Sequence, residues 1–513
     1  MNRKIMTIFP VVSGVLFFIL GFIILMNGHL HEDAYILFQY SKNFSLGNGI
    51  TFDSISGPLE GATDFLWMIS IGLLSKVIGD IALSALLLNS IGLSVVIYSI
   101  IKIRATFDLV TLSLCLAVIF SGGVSAALGG FSTLAYAAIY ALLTISVINK
   151  HYISITILAI AISLFRPDGA ILAFGALLSL LIFSERKDIF KFASCLLIVV
   201  VVGSIYFIWR WNYFNTILPL PLLVKQNTDS ILEGLYPNLN ALVLYSPLIL
   251  PIIYFFKKSN IRIYSIILLG PLLLFVALSF MHQSQNIGHR FQFVIIVSLL
   301  IQCAYVIPII KGKILYLLAL LPILADLHGA KIIYRDIKYL TNDDYVNNFP
   351  QLLKKSNFNV EVLAITEAGR FPFWFNARKT IDLVGLNSRD VIFEGAERVI
   401  EKEKPELIFI HHAGRFTFKN ISDDNAVIID PEQISINDYE GNNPVNMAPI
   451  VALKYANENN YSIIAVRYGS NDTKYSHVYF INKTLDLNKF VKVLNESFYN
   501  KTSYFSSKSL LLD

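Results

Sequence analysis

Apolar runs of roughly 15 to 22 residues, the scale of a bilayer-crossing helix, recur from the N-terminus to about residue 329 and then stop. They predict spans near 5–27, 81–101, 107–126, 131–148, 151–165, 168–184, 191–209, 239–256, 263–280, 291–309 and 313–329. The first follows Asn2-Arg3-Lys4, as a signal peptide would. Its apolar run is long, however, and no small-residue cleavage site precedes His29-Leu30-His31-Glu32-Asp33, so it reads as a span.

Residues 65–79 are apolar but short, carry Lys76 and are bordered by Asp64 and Asp80. The bias of basic residues towards cytoplasmic loops decides their role. If 65–79 lies on the outer surface, eleven spans leave 13 Lys and Arg in cytoplasmic loops (Lys102, Arg104, Lys150, Lys257 and Lys258 among them) and 6 outside. Counting the segment as a span inverts every later loop. A surface helix is therefore expected. Loops 28–80, 127–130, 165–168, 210–238 and 281–290 then face outward together with everything after about residue 330.

Beyond 330 the pattern shortens. Val360–Ile365, Leu407–Ile410 and Ser462–Val466 read as buried strands, and 390–403 and 449–459 as helices. The expected architecture is a polytopic α-helical membrane domain, 1–330, followed by a soluble α/β domain, 331–513. The tail carries no glycine-rich phosphate loop, zinc-ligand spacing or nucleophile elbow.

Composition agrees: 55% of residues are hydrophobic and 15% charged, well under the ~25% of a soluble domain, which excludes soluble, disordered and disulfide-scaffold classes. The three cysteines sit in apolar runs. The net charge of +5 does not indicate nucleic acid as a partner. Residues 1–330 hold 19 basic against 13 acidic residues and the remainder 22 against 23, so topology explains the excess.

Four places can carry chemistry. Glu32 and Asp33 follow the first span, at the expected outer interface, where a carboxylate desolvated on one side is a better proton acceptor and lies within reach of a lipid headgroup. The same pair would equally favour the dipole of a surface helix at 32–45, and spacing alone leaves both readings open. Phe165-Arg166-Pro167-Asp168-Gly169 holds two charges between spans, as an ion pair or a ligand site. Trp209-Arg210-Trp211-Asn212-Tyr213-Phe214, Leu218-Pro219-Leu220-Pro221 and Lys225 form an aromatic, basic loop, its aromatics suited to an interfacial belt. Gly288-His289-Arg290-Phe291 opens another span on the same side. Arginine forks suit phosphate oxygens, and carboxylates beside cations suit transfer from a lipid phosphate.

These residues carry a family resemblance. Glu32-Asp33-Ala34-Tyr35-Ile36, Gly47-Asn48-Gly49, Phe52, Glu60-Gly61-Ala62-Thr63 and Leu66-Trp67 resemble the first outer loop of GT-C fold glycosyltransferases. The nearest group is the bacterial enzymes that use polyprenyl-phosphate sugars, including cell-wall arabinofuranosyltransferases and relatives that decorate surface polysaccharides. Arg166-Pro167-Asp168-Gly169-Ala170 is similar to their arginine-proline-aspartate-glycine turn, and Arg210 to Lys225 to their Arg–Tyr–Pro–Lys loop. Glu367-Ala368-Gly369-Arg370 with Ile381-Asp382-Leu383-Val384-Gly385-Leu386 resembles the start of their outer α/β domain. One departure is Ser132, in Gly130-Phe131-Ser132-Thr133, where relatives tend to have glutamate; it leaves the acceptor open.

The resemblance implies Asp33 as general base with Glu32 as partner or substitute. It implies Arg166, Arg210, Lys225, His289 and Arg290 around a donor phosphate, and Asp168, Tyr35 and Glu60 around substrate. The implied reaction moves a sugar from undecaprenyl phosphate to a hydroxyl of a cell-surface glycan such as lipopolysaccharide O-antigen, with inversion, on the periplasmic side of a bacterial inner membrane. No cluster calls for a metal and none is expected, although two carboxylates can bind Mg²⁺ or Mn²⁺ through oxygen. The rival is a transporter or flippase of lipid-linked sugars, which would show paired interrupted helices or repeated halves.

Overall fold

A computed structural model describes residues 2–183, 188–224, 233–248, 261–281, 283, 285–306, 314–342, 345–412, 414–421, 424–437, 444–467 and 475–499. The helices are α1 (Asn2–Asn27), α2 (Glu32–Ser45), α3 (Phe65–Ile78), α4 (Ile81–Arg104), α5 (Leu109–Ile119), α6 (Gly122–Leu128), α7 (Thr133–Ile148), α8 (Tyr152–Phe165), α9 (Gly169–Phe183) and α10 (Ile189–Phe214). Further helices span Ile261–Ser279, Phe293–Val306 and Ile314–Leu340.

Each of the eleven expected spans overlaps helical structure, though not always one straight rod. Among the described residues, Lys4–Asn27, Ile81–Arg104, Ile189–Phe214 and Ile287–Tyr305 are long and apolar enough to cross a membrane. The span expected at 107–126 is two helices bent by 46° where α5 meets α6. α7, α8 and α9 have 16, 14 and 15 residues. At ~1.5 Å per residue they fall short of a ~30 Å hydrocarbon core, so helix length does not support counting each as a full crossing. The second half of the span expected at 239–256 lies outside the described residues.

The lipid-facing surface is plain in the side chains. α10 exposes Leu197, Val200, Ile205 and Ile208, and α1 exposes Val11, Val15, Leu16 and Ile19, a continuous apolar surface that water would not tolerate. At the end of α10, Trp209 packs with Phe65, Tyr206 and Tyr213 at centroid distances of 5.7, 5.8 and 5.2 Å. The boundary drawn at 330 falls inside a continuous helix, Ile314–Leu340, whose last turn accepts a hydrogen bond at Leu340 O from His29 N–H at 2.8 Å.

The tail is a mixed sheet: β1 (Val362–Ile365), β2 (Lys379–Asp382), β3 (Leu407–His411), β5 (Ala426–Ile429), β7 (Ser462–Arg467) and β8 (Tyr475–Ile481), in the order β2-β1-β3-β8-β7-β5. β1 runs parallel to β2 and β3, and the other pairs are antiparallel. β4 (Phe416–Phe418) and β6 (Ile434–Ile436) form a separate two-stranded ribbon. Alternate strand residues serve opposite faces. Ala364, Ile408, Ile410 and Phe480 pack under the helix Pro444–Glu458. Leu363, Phe409 and Tyr479 face Phe349, Phe371 and Phe490.

That second face also takes in Tyr40, Ile50, Phe52, Leu59, Met68 and Phe214. The 28–80 loop therefore shares a core with the tail. α2 packs between bundle and tail: Ala34, Tyr35, Phe38, Tyr40 and Lys42 are buried there, because α2 has apolar residues on more than one face.

Candidate active site

Five loops and the tail meet in one cavity of about 280 Å³. Asp33 and Leu37 come from α2, Thr63, Asp64 and Trp67 from the start of α3, and Phe131 and Ser132 from the turn before α7. Arg166, Pro167 and Asp168 join α8 to α9, Leu222 follows α10, Arg290 and Phe291 precede the helix Phe293–Val306, and Leu386 is the tail's contribution. Every loop expected on one side of the membrane thus contributes to one hollow.

The backbone makes room for this. Gly130 has φ +99°, and a side chain there would meet Ala34 Cβ at 2.9 Å, so the turn before α7 can press against the first turn of α2 only as glycine.

The charges inside differ in how fully they are engaged. Arg166 clasps Asp168 through Nε and Nη2, both at 3.0 Å, with its guanidinium carbon 4.7 Å from the Tyr136 ring centre. Asp64 accepts a 2.7 Å hydrogen bond from Ser132 Oγ. Arg290 lies over Phe131, 3.8 Å from the ring centre to its guanidinium carbon, and 5.0 Å from that of Phe291. Its Nη2 stands 3.8 Å from Asp33 Oδ2, too long for a hydrogen bond, and its buried Nε has no hydrogen-bond partner among the described residues. The Asp33 side chain is 36% exposed, and that exposure is to the cavity it lines.

No protein-family model matches the chain, and no curated protein matches it. Solved structures do. The fold is similar to ArnT from Cupriavidus metallidurans bound to undecaprenyl phosphate, with a TM-score of 0.56 at 10% identity over 79% of this chain and 93% of that one. The apo state of the same protein gives 0.55, at 10% identity over 78% and 92%. The chain has the GT-C fold.

Within this GT-C frame the residues singled out from the sequence divide. Asp33, Arg166, Asp168 and Arg290 line the cavity; Glu32, Tyr35, Glu60, Arg210 and His289 do not. Successive helical residues point about 100° apart, so Glu32 and Asp33 cannot share a target. Glu32 turns to the tail. Its Oε1 accepts from the N–H groups of Gly369 and Arg370 at 2.8 and 2.9 Å, and its Oε2 from Arg370 Nε at 2.8 Å. Burial and the nearby Glu367 carboxylate push its pKa up, against the pull of Arg370. Gly369 is required here, since a Cβ would stand 2.1 Å from Glu32 O.

Arg210 donates from Nε to Glu60 Oε1 at 2.7 Å and from Nη1 to Ile217 O at 2.7 Å, with both side chains of the ion pair buried. That pair binds the 28–80 loop to the end of α10 instead of presenting a cation to a ligand. Tyr35 is buried against Phe38, Phe373 and Trp374. His289 sits in a short 3₁₀ turn, Ile287–His289, outside the cavity. Lys225 lies outside the described residues. Asp64, in sequence only the border of an apolar segment, is a third carboxylate in the cavity; its position directly after the Glu60-Gly61-Ala62-Thr63 motif is the signal for it.

Proposed function

We propose that this chain is an integral-membrane glycosyltransferase of a bacterial inner membrane. It takes a sugar from a polyprenyl-phosphate donor, such as undecaprenyl phosphate, and passes it to a hydroxyl of a cell-surface glycan such as lipopolysaccharide O-antigen, on the periplasmic side. The observation that carries this reading is Asp33: a carboxylate with no hydrogen bond in its ion pair, open to a cavity shared with two arginines. The fold, shared with a protein solved with undecaprenyl phosphate bound, supports the class of donor.

In this reading Asp33 takes the proton of the acceptor hydroxyl as its oxygen attacks the anomeric carbon. The lipid phosphate leaves from the opposite face, so configuration inverts. Arg290, its Nε unpartnered, turns from Asp33 towards the leaving phosphate, and its Phe131 and Phe291 packing holds it in place. Arg166 supports it from the other wall, held rigid by Asp168. A phosphate leaves without protonation, so no second acid is required. Preorganised donors aimed at developing charge are the largest contribution such a site can make. A transporter built on inverted repeats would carry paired interrupted helices; one bent helix pair, α5 and α6, occurs among the described residues.

The test is turnover of undecaprenyl-phosphate hexose by the purified full chain, wild type against Asp33→Asn. A general base contributes ~10²- to 10⁴-fold, so the variant should lose at least a hundredfold while its elution profile and thermal midpoint stay unchanged. Wild-type turnover in the Asn variant would remove Asp33 from the mechanism.

A further inference from the structure

Away from the cavity, three strands of the tail bring together two imidazoles and a carboxylate. Glu367 stands two residues past the end of β1, His411 closes β3, and His477 lies on β8 directly opposite His411 in the antiparallel register. Residues directly opposite in such a pair project on the same face, which brings the two rings to a centroid distance of 5.1 Å. His477 Nε2 is 3.4 Å from Glu367 Oε2, and His411 Nδ1 is 3.8 Å from Glu367 Oε1. The three ligand atoms all lie within 4.8 Å of one another.

We infer that Glu367, His411 and His477 form a binding site for one divalent transition-metal ion, Zn²⁺ by the chemistry of its donors. Two imidazole nitrogens and one carboxylate oxygen suit zinc and exclude sites built for Mg²⁺ or Ca²⁺, which favour oxygen alone. Tetrahedral ligands at 2.0–2.2 Å from a metal lie ~3.3 Å apart. Each imidazole nitrogen stands near that distance from its own Glu367 oxygen, His477 Nε2 3.4 Å from Oε2 and His411 Nδ1 3.8 Å from Oε1, and one ligand atom from each residue lies within 4.8 Å of the other two.

The surroundings fit as well. Glu367 Oε2 is buried and, among the described residues, makes no hydrogen bond of good geometry. The other nitrogen of His477, Nδ1, is 2.7 Å from Tyr345 Oη, the outer contact that fixes the ring and leaves Nε2 facing the centre. His477 is fully buried, whereas His411 and Glu367 are 33% and 23% exposed. Glu367 is three residues from Arg370, which holds Glu32 beside Asp33. A metal here would therefore fix the seam behind the cavity. The inference stands whether or not the transferase reading does.

The test uses the full chain in detergent, with any affinity tag removed and bound metal stripped by chelator. Zn²⁺ alone is titrated in competition with a chromogenic chelator, and Co²⁺ serves as the spectroscopic probe. The wild type should take up one equivalent of Zn²⁺, raise its thermal midpoint, and give the visible d–d bands of a nitrogen–oxygen Co²⁺ site. Glu367→Gln and His411→Gln should each weaken binding at least tenfold and lose those bands. Less than a fifth of an equivalent bound, no Co²⁺ bands, or a stoichiometry and spectrum unchanged in both variants would overturn the site. Should either variant fail to fold, the wild-type Co²⁺ spectrum decides alone.

Discussion

The cavity and the seam behind it are built from the same side-chain types and treat them in opposite ways. At the seam the carboxylate–guanidinium pair is closed: Glu32 accepts three hydrogen bonds from the Gly369–Arg370 corner, and Arg370, 1% exposed, also donates to Asn347 Oδ1 at 2.7 Å. Glu60 and Arg210 form a closed pair of the same kind where the 28–80 loop meets the end of α10. In the cavity Arg290 and Asp33 stop short of a hydrogen bond, and Arg290 Nε is left unpartnered. A buried ion pair is costly to desolvate and recovers that cost only with good geometry. The seam meets that condition and the cavity pair does not. Closed pairs hold elements together; an open one is available to a ligand. Arg166, clasped by Asp168, lies between the two cases, which makes Arg290 the stronger candidate for the phosphate.

The largest effect expected of the arginines follows from that ranking. Arg290→Ala should lower turnover by about a hundredfold, the scale of losing one preorganised donor to developing charge, and leave the thermal midpoint unchanged or raised. Arg166→Ala should cost both turnover and stability, because it strands Asp168 at 14% exposure. Equal stability losses in the two variants, read from thermal melts, would erase the distinction between open and closed pairs.

Next in size is the seam itself. Arg370→Met leaves Glu32 largely buried without its guanidinium and should destabilise the fold by about 3 kcal/mol, the scale of breaking a buried pair by removing one partner. Below its melting temperature the variant should keep turnover within about tenfold of wild type. Such a split between stability and rate is the signature of a structural pair. A rate loss as deep as that of Asp33→Asn, with an unchanged melt, would make the seam part of the chemistry.

Much of this is legible in the residue pattern, and each gap has a physical cause. Hydropathy and basic-residue bias give each residue's depth relative to the membrane, so the loops bearing Asp33, Arg166 and Arg290 could be assigned to one side, and all three meet in the cavity. The same reasoning gives no azimuth. Glu32 and Arg210 lie at the same depth and face away, one into the tail and the other onto Glu60. Asp64 borders an apolar segment, where hydropathy speaks only to span or surface helix and says nothing of chemistry. In the tail, Val360–Ile365, Leu407–Ile410 and Ser462–Val466 all form strands. Gly395 splits the helix expected over 390–403 into Arg389–Glu394 and Ala396–Glu403. β2 and β8 went unread since Lys379–Asp382 is short and polar and Tyr475–Ile481 begins with Tyr475-Ser476-His477.

The smallest predicted effect tests the rule at the seam's one exception. Lys42 is buried there with no carboxylate partner among the described residues: its Nζ donates to Phe373 O at 3.1 Å and sits 5.2 Å from that ring's centre. Burial, helped by Lys354, pulls its pKa from 10.5 down to about 8. Between those values the unfolded chain keeps a proton that the folded chain has released, so stability should rise with pH across the window from about 8 to 10.5 and be flat on either side. The slope is bounded by about 1.4 kcal/mol per pH unit, and solvent reaching the amine would reduce it. Lys42→Met keeps the stem's packing and removes the titration. The difference in thermal midpoint between wild type and Lys42→Met should therefore favour the variant below pH 8 and narrow steadily as pH rises. A difference constant over that range would mean that the folded lysine keeps its proton, and that the seam tolerates an uncompensated charge as the cavity does.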